Sequence, residues 1–283
     1  MYGYRHEFHA GNAADVVKHT TLVTLATALQ RKESGYCYLD THAGQGLYAL
    51  TSPAARKGNE FRQGIGRLWT DIGSAPPEVS TYLDLVRSFN PDSKLRQYPG
   101  SPALMRALAR PQDRLILCEG SALIQGQLHQ LFYGDRQVAT HHQDGYLALK
   151  AFLPPPERRA LVLIDPAYET PEEYHRVVAT GLTTAIQRWP ATVVMLWYPI
   201  MELARTRGLQ RAIHDTGIPD ILAGELLTGP VTQSGYRLQG CGLCVVNPPW
   251  GFEERFEALL AWLAGFLAES PGSGGYRVMR LSP

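Results

Sequence analysis

Apolar residues recur along the chain in two alternating rhythms. Short aliphatic and β-branched runs bounded by turn formers read as strands at residues 36–40, 114–119, around Val138, 160–164, 192–198, 221–227 and 241–246. Between them, apolar positions three and four apart read as helices. Val16, Val17, Leu22, Leu25 and Leu29 mark the first, capped by Asn12 or Asp15 and ended at Ser34-Gly35. Tyr174, Val177, Val178 and Leu182 mark another, and Phe252, Phe256, Leu259, Leu260, Leu263 and Leu267 a closing one. About seven strands with helices between them predict an α/β fold around a doubly wound sheet. On this spacing Lys18 and His19 fall off the apolar stripe of the first helix, on its surface.

The rhythm breaks over residues 51–112. Thr51-Ser52-Pro53, Gly58, Gly64, Gly66 and the run Gly73-Ser74-Ala75-Pro76-Pro77 punctuate it. Val79, Tyr82, Leu83, Val86 and Phe89 are spaced as a helix, and Tyr98-Pro99-Gly100-Ser101-Pro102 turns the chain into a second, short one. The pattern predicts a helical insertion at 51–112 in a main domain formed by residues 1–50 and 113–283. Residues 1–12 are polar and aromatic without a period, and read as an N-terminal arm. Arg56, Lys57, Arg62 and Arg67 make the insertion a place for an RNA backbone to lie.

Composition changes this picture little. With 45% hydrophobic and 19% charged residues in a chain of 283, there is material for a sizeable core. No apolar run approaches the ~18 residues that cross a bilayer, and Met1 to His6 lacks the apolar centre of a signal peptide. Four cysteines do not make a disulfide scaffold and suit a reducing cytoplasm. Net charge is +1; residues 1–114 hold 14 Lys and Arg against 10 Asp and Glu, which leaves a net −3 for the rest. So weak a bias is equally a solvated face.

The chemistry gathers at predicted strand ends. Asp40 leads into Thr41-His42-Ala43-Gly44-Gln45-Gly46, a glycine turn of the kind that brings backbone close to a nucleotide cofactor, without the full G-x-G-x-x-G. Glu119 ends the next strand, where such folds bind two ribose hydroxyls, and Asp144-Gly145 follows the strand after it, in position to meet an adenine ring. Asp165-Pro166-Ala167-Tyr168 ends the most apolar strand. It resembles the D/N-P-P-Y/F/W signature of methyltransferases acting on exocyclic amino groups, with Ala167 in place of the second proline. Asn247-Pro248-Pro249-Trp250 matches that signature in full, but it ends the last strand of the reading, on the far side from the glycine turn; topology favours Asp165. Cys241 and Cys244 form a C-x-x-C in an apolar strand, where cysteine is a small hydrophobe, and no metal is expected.

Taken together, Gly11-Asn12-Ala13-Ala14-Asp15-Val16-Val17-Lys18-His19, Leu39-Asp40-Thr41-His42-Ala43-Gly44, Tyr98-Pro99-Gly100-Ser101-Pro102, Asp165-Pro166-Ala167-Tyr168, Leu196-Trp197-Tyr198-Pro199 and Asn247-Pro248-Pro249-Trp250 occur in one order. In this the chain closely resembles the RlmJ family of bacterial 23S rRNA (adenine-N6)-methyltransferases, from the Tyr4-Arg5-His6 arm to the final helix. The resemblance implies a Rossmann-like class I methyltransferase, S-adenosylmethionine as donor, and one adenine of 23S rRNA free of ribosomal proteins as target. No membrane association and no obligate protein partner are expected of it.

Carried over by motif, His19, His42, Ser101, Glu119, Asp144, Gly145 and Asp165 match the family's cofactor contacts, and Asp165 its catalytic acid. Tyr4, His6 and Lys18 match an arm that closes over cofactor and base. Asp165 and the Pro166 carbonyl would hold the adenine amino group, with Tyr168 stacked on the base. Ala167 departs from the family's proline and relaxes a restraint on Pro166. Two other readings stay open: a DNA adenine-N6 methyltransferase, whose amino-group chemistry is the same, and an RNA-binding relative with impaired catalysis.

Overall fold

The computed structural model describes residues 5–70, 72–230 and 238–282. Its strands in chain order are β1 (Cys37–Asp40), β2 (Leu47–Ala49), β3 (Gln97–Pro99), β4 (Arg114–Glu119), β5 (Val138–His142), β6 (Ala160–Ile164), β7 (Val193–Ile200), β8 (Ile221–Leu227), β9 (Gly240–Val246) and β10 (Gly275–Arg280). Eight of them form one sheet in the order β10-β8-β9-β7-β6-β1-β4-β5, while β2 and β3 pair separately as a short antiparallel ribbon. From β5 to β7 every pairing is parallel. β9 then enters between β7 and β8 antiparallel to both, and β10 pairs antiparallel with β8.

Strand alternation explains the layers. In β1, Cys37 and Leu39 join the apolar cluster on one face, and Tyr38 joins the cluster on the other. Against the Tyr38 face lie the helices Ala13–Gln30, Pro77–Ser88, Ser101–Leu108 and Phe252–Phe266. Against the opposite face lie Gly145–Phe152, the helical run 172–188 with a π turn at Val177–Leu182, and Leu203–His214. Burial on both faces is why the parallel strands read as unbroken apolar runs.

Two expectations about elements change. An eighth strand joins the sheet: β10 is partly exposed and carries Arg277 and Arg280 among its apolar positions, so it shows no clear period. Being an edge strand, it has only β8 to pair with. The first helix, Ala13–Gln30, is buried almost all round, so that Lys18 and His19 lie inside the protein rather than on its surface. Thr20, Thr21 and Thr24 are buried with them, because each hydroxyl donates back to the carbonyl four residues earlier.

Between β1 and β4 the described chain passes through the β2–β3 ribbon, a 3-10 turn at Glu60–Gln63 and the α-helices Pro53–Gly58, Ile65–Thr70, Pro77–Ser88 and Ser101–Leu108. The last of these packs on β1 and β4 themselves.

Candidate active site

The sheet register brings three carboxylates to one rim. Asp40 pairs with Leu117 of β4 and with Leu163 of β6, so Glu119 and Asp165 each lie two residues beyond it on the neighbouring strands. The turn after β1 is stitched to the end of β6, since Thr41 donates both its backbone N–H and its hydroxyl to the Leu163 carbonyl, at 3.1 and 2.9 Å.

Around Asp40 the side chains form a closed polar knot. Its buried carboxylate accepts from the Tyr38 hydroxyl at 2.8 Å, the Ser101 hydroxyl at 2.7 Å and the His42 N–H at 3.2 Å. Burial pushes its pKa up to about 6, against the pull of the Ser101 and Tyr38 hydrogen bonds, and the charge of Asp165 adds to the rise. His42, on the same turn, has its pKa lowered to about 4 by burial, so its ring is neutral at pH 7.

Glu119 accepts the Gly44 N–H at 3.0 Å on one oxygen and the Ser121 N–H at 2.8 Å on the other. Each oxygen keeps a further lone pair. Gly44 sits at φ +63°, and a Cβ there would meet the Tyr48 hydroxyl at 2.5 Å. Asp144 caps the helix Gly145–Phe152 through the Tyr146 and Leu147 N–H groups and pairs with Arg176. Gly145 brings that helix against the β1 turn so closely that a Cβ would lie 2.0 Å from the Thr41 carbonyl oxygen.

The Asp165 side of the rim is ionic. Lys18 Nζ lies 2.6 Å from Asp165 Oδ2 and 2.9 Å from Asp15 Oδ1, while Asp15 Oδ2 meets His6 Nε2 at 3.0 Å. The side chains of Asp15, Lys18 and Asp165 are 3%, 6% and 15% exposed, so water screens these contacts weakly. Burial opposes the Lys18 charge, but Asp15 and Asp165 outweigh it and hold the ammonium's pKa well above the usual lysine value. The ammonium also lies 5.7 Å from the centre of the Trp197 ring. Tyr168 packs between Tyr174 and Trp197, and its hydroxyl donates to the Trp197 carbonyl at 2.9 Å.

The residues named from the sequence thus fall into two adjoining groups. Ser101, His42, Glu119, Asp144 and Gly145 surround the β1 turn, while His6, Lys18, Asp165, Pro166 and Tyr168 gather at the end of β6. His19 is separate from both: it is buried, its Nδ1 is 2.7 Å from the Tyr98 hydroxyl, and burial lowers its pKa to about 3. Tyr4 lies outside the described residues. Arg67 donates to the Ala268 carbonyl at 2.8 Å and lies over the Phe266 ring, so it faces the closing helix. Three residues that touch the site were not among the assigned site residues: Asp15, one of two candidate helix caps; Asp40, the acid that leads into the glycine turn; and Trp197, part of a predicted strand. The cap is Asn12, whose side chain accepts the Asp15 N–H.

Asn247 ends β9, which is followed by β10 and is therefore not the last strand. Because β9 runs antiparallel, Asn247 emerges at the opposite rim of the sheet from Asp165. There its side chain donates to the Pro190 and Thr192 carbonyls at 2.8 Å, at the start of β7. Cys241 and Cys244 are three apart in that strand and join opposite apolar clusters, so they cannot share a ligand.

A family model described as ribosomal RNA large subunit methyltransferase D, RlmJ, matches residues 33–281. The proteins named ribosomal RNA large subunit methyltransferase J in Escherichia coli K12 and in Haemophilus influenzae Rd are 39% and 38% identical to this chain, over its full length and theirs. A crystal structure of a Legionella pneumophila protein superimposes with a TM-score of 0.88 at 34% identity, covering 96% of this chain and 98% of that one.

Proposed function

Because the chain belongs to the RlmJ family of ribosomal RNA large subunit methyltransferases, we propose that its β6 rim is where a methyl group passes from S-adenosylmethionine to the N6 amino group of one adenine in 23S rRNA. The protein is an S-adenosylmethionine-dependent enzyme whose substrate is 23S rRNA. The observation that carries the assignment of residues is the shared register, which puts Asp165 on the same rim as the glycine turn and Glu119.

The residues present suit the donor. The lone pair left on each Glu119 oxygen suits the two ribose hydroxyls, and Gly44 and Gly145 leave the backbone bare where a Cβ would crowd it. Asp144 and Gly145 would take the adenine end. Ser101, His42 and Asp165 would take the amino-acid end; His19, bonded to Tyr98, is carried over by motif alone. S-adenosylmethionine supplies an electrophilic methyl group on a positively charged sulfur.

The adenine amino nitrogen is a weak nucleophile, its lone pair drawn into the ring. In this reading the Asp165 carboxylate and the Pro166 carbonyl each accept one of its N–H bonds. Holding both favours a tetrahedral nitrogen and turns the lone pair toward the incoming methyl, a gain mainly in orientation. Asp165 then takes the proton as charge develops. Tyr168, anchored on Trp197, forms a wall for the base, and His6 closes the arm over it. A base paired in a stem must leave its stack to arrive there. The helical insertion 51–112 would present Arg56, Lys57 and Arg62, all exposed, to the RNA backbone. Among the described residues no helix is long and apolar enough to cross a membrane, and a 23S rRNA substrate supports the reading that the enzyme works in the cytoplasm.

The test is transfer from labelled S-adenosylmethionine to protein-free 23S rRNA lacking its native modifications, with nucleosides resolved by mass spectrometry. One N6-methyladenosine is expected, absent with Asp165→Ala while the thermal transition persists. Equal methylation of DNA of the same sequence would overturn the choice of substrate. Near-normal activity of Asp165→Ala would move the chemistry elsewhere.

A further inference from the structure

Asp15 lies behind the proposed active site and touches both Lys18 and His6 of the arm. One carboxylate oxygen is 2.9 Å from Lys18 Nζ; the other is 3.0 Å from His6 Nε2 and accepts the Gly11 N–H at 2.9 Å. An acid in the first turn of a helix usually complements the helix dipole or caps free N–H groups. Asn12 already caps this helix, and apart from the Gly11 N–H the Asp15 oxygens go to side chains, His6 of the arm and Lys18 one turn along the same helix.

From this geometry we infer that Asp15 is a positioning residue: it fixes the Lys18 ammonium against Asp165 and fastens the arm through His6. The lysine stem is flexible, and one carboxylate alone leaves its ammonium free to swing. Asp15, one helical turn from Lys18, supplies the second fixed point. Lys18 also occupies an oxygen of Asp165, an acceptor that an adenine amino group needs. When that oxygen passes to the substrate, Asp15 keeps the ammonium paired, so that no buried charge is stranded. The direction of the Asp15 pKa agrees: burial raises it, but the charges of His6 and Lys18 prevail and hold it well below the usual range.

The inference rests on Asp165 being the catalytic acid, and its test separates the two claims. Single-turnover transfer to 23S rRNA, calorimetric affinity for S-adenosylmethionine and melting temperature are compared for wild type, Asp15→Asn, Lys18→Gln, the double variant and Asp165→Ala. Asp15→Asn should slow transfer about a hundredfold, the scale of a misplaced catalytic group, with cofactor affinity within about threefold. In the Lys18→Gln background the same substitution should lose most of its effect, keeping only the smaller part that runs through His6 and the arm. A purely structural role would lower the melting temperature and multiply through both backgrounds. Should Asp15→Asn not fold, Asp15→Ser carries the same comparison. A wild-type rate for the Asp15 variant, or effects that multiply in the double variant, overturns the inference while an inactive Asp165→Ala leaves the catalytic assignment standing. An active Asp165→Ala removes both.

Discussion

Asp40 shows what one residue in this rim does to the stability of the whole. Its pKa is about 6 in the folded chain against 3.8 as a free side chain, mainly through burial. Between those values the folded state binds more protons than the unfolded one, so this group's contribution falls as pH rises from 4 to 6. Above pH 6 the cost is full, about 3 kcal/mol at ~1.4 kcal/mol per pKa unit. Asp40→Asn should therefore melt higher than wild type at pH 8, and the difference should close by pH 4. His19 and His42 act in the opposite sense. Burial lowers them from 6.5 to about 3 and about 4, so each binds fewer protons when folded, and stability is lost as pH falls below 6.5. Their combined shift exceeds that of Asp40; Asp15, held below its usual range, adds its own loss only below about pH 4. The wild-type melting temperature should drop between pH 6.5 and pH 4, more shallowly in His42→Asn; calorimetric scans across that range decide it.

Elements are placed by close approach and by direction. The helix Gly145–Phe152 reaches the β1 turn only because position 145 has no side chain. Gly145→Ala should separate the two backbones, at a cost of about 1–3 kcal/mol, and weaken the affinity for S-adenosylmethionine, both measurable by calorimetry. β9 illustrates direction. Its reversed run carries Asn247 to the rim opposite Asp165, where the residue sits at φ +52° and bridges two carbonyls. Asn247→Ala removes both hydrogen bonds and puts alanine in a left-handed conformation. A loss of about 2–3 kcal/mol is expected, with methyl transfer within about threefold of wild type. A large loss of transfer in a folded Asn247→Ala protein would return Asn247-Pro248-Pro249-Trp250 to the chemistry.

At the scale of the molecule, the local pattern was enough for the α/β class and for placing Asp40, Glu119 and Asp165 at the ends of β1, β4 and β6. Side-chain period and turn residues are properties of neighbours in the chain, and a parallel strand buried on both faces leaves the same apolar run wherever it pairs. Glu119 and Asp165 were legible because acids that end such runs share one rim of a parallel sheet. Pairing partners, direction and burial depend on the rest of the chain. That β9 enters antiparallel, that β10 closes the edge, and that a helix with an amphipathic look is buried almost all round were settled only when the sheet and its layers assembled. The cluster at Asp165 is the clearest case. Lys18 and Asp165 are 147 residues apart, and spacing alone placed Lys18 on a surface. Only the packed structure withdraws that ammonium from water and sets it between two carboxylates, because a charge buried at that depth is stable only where the fold brings it a partner.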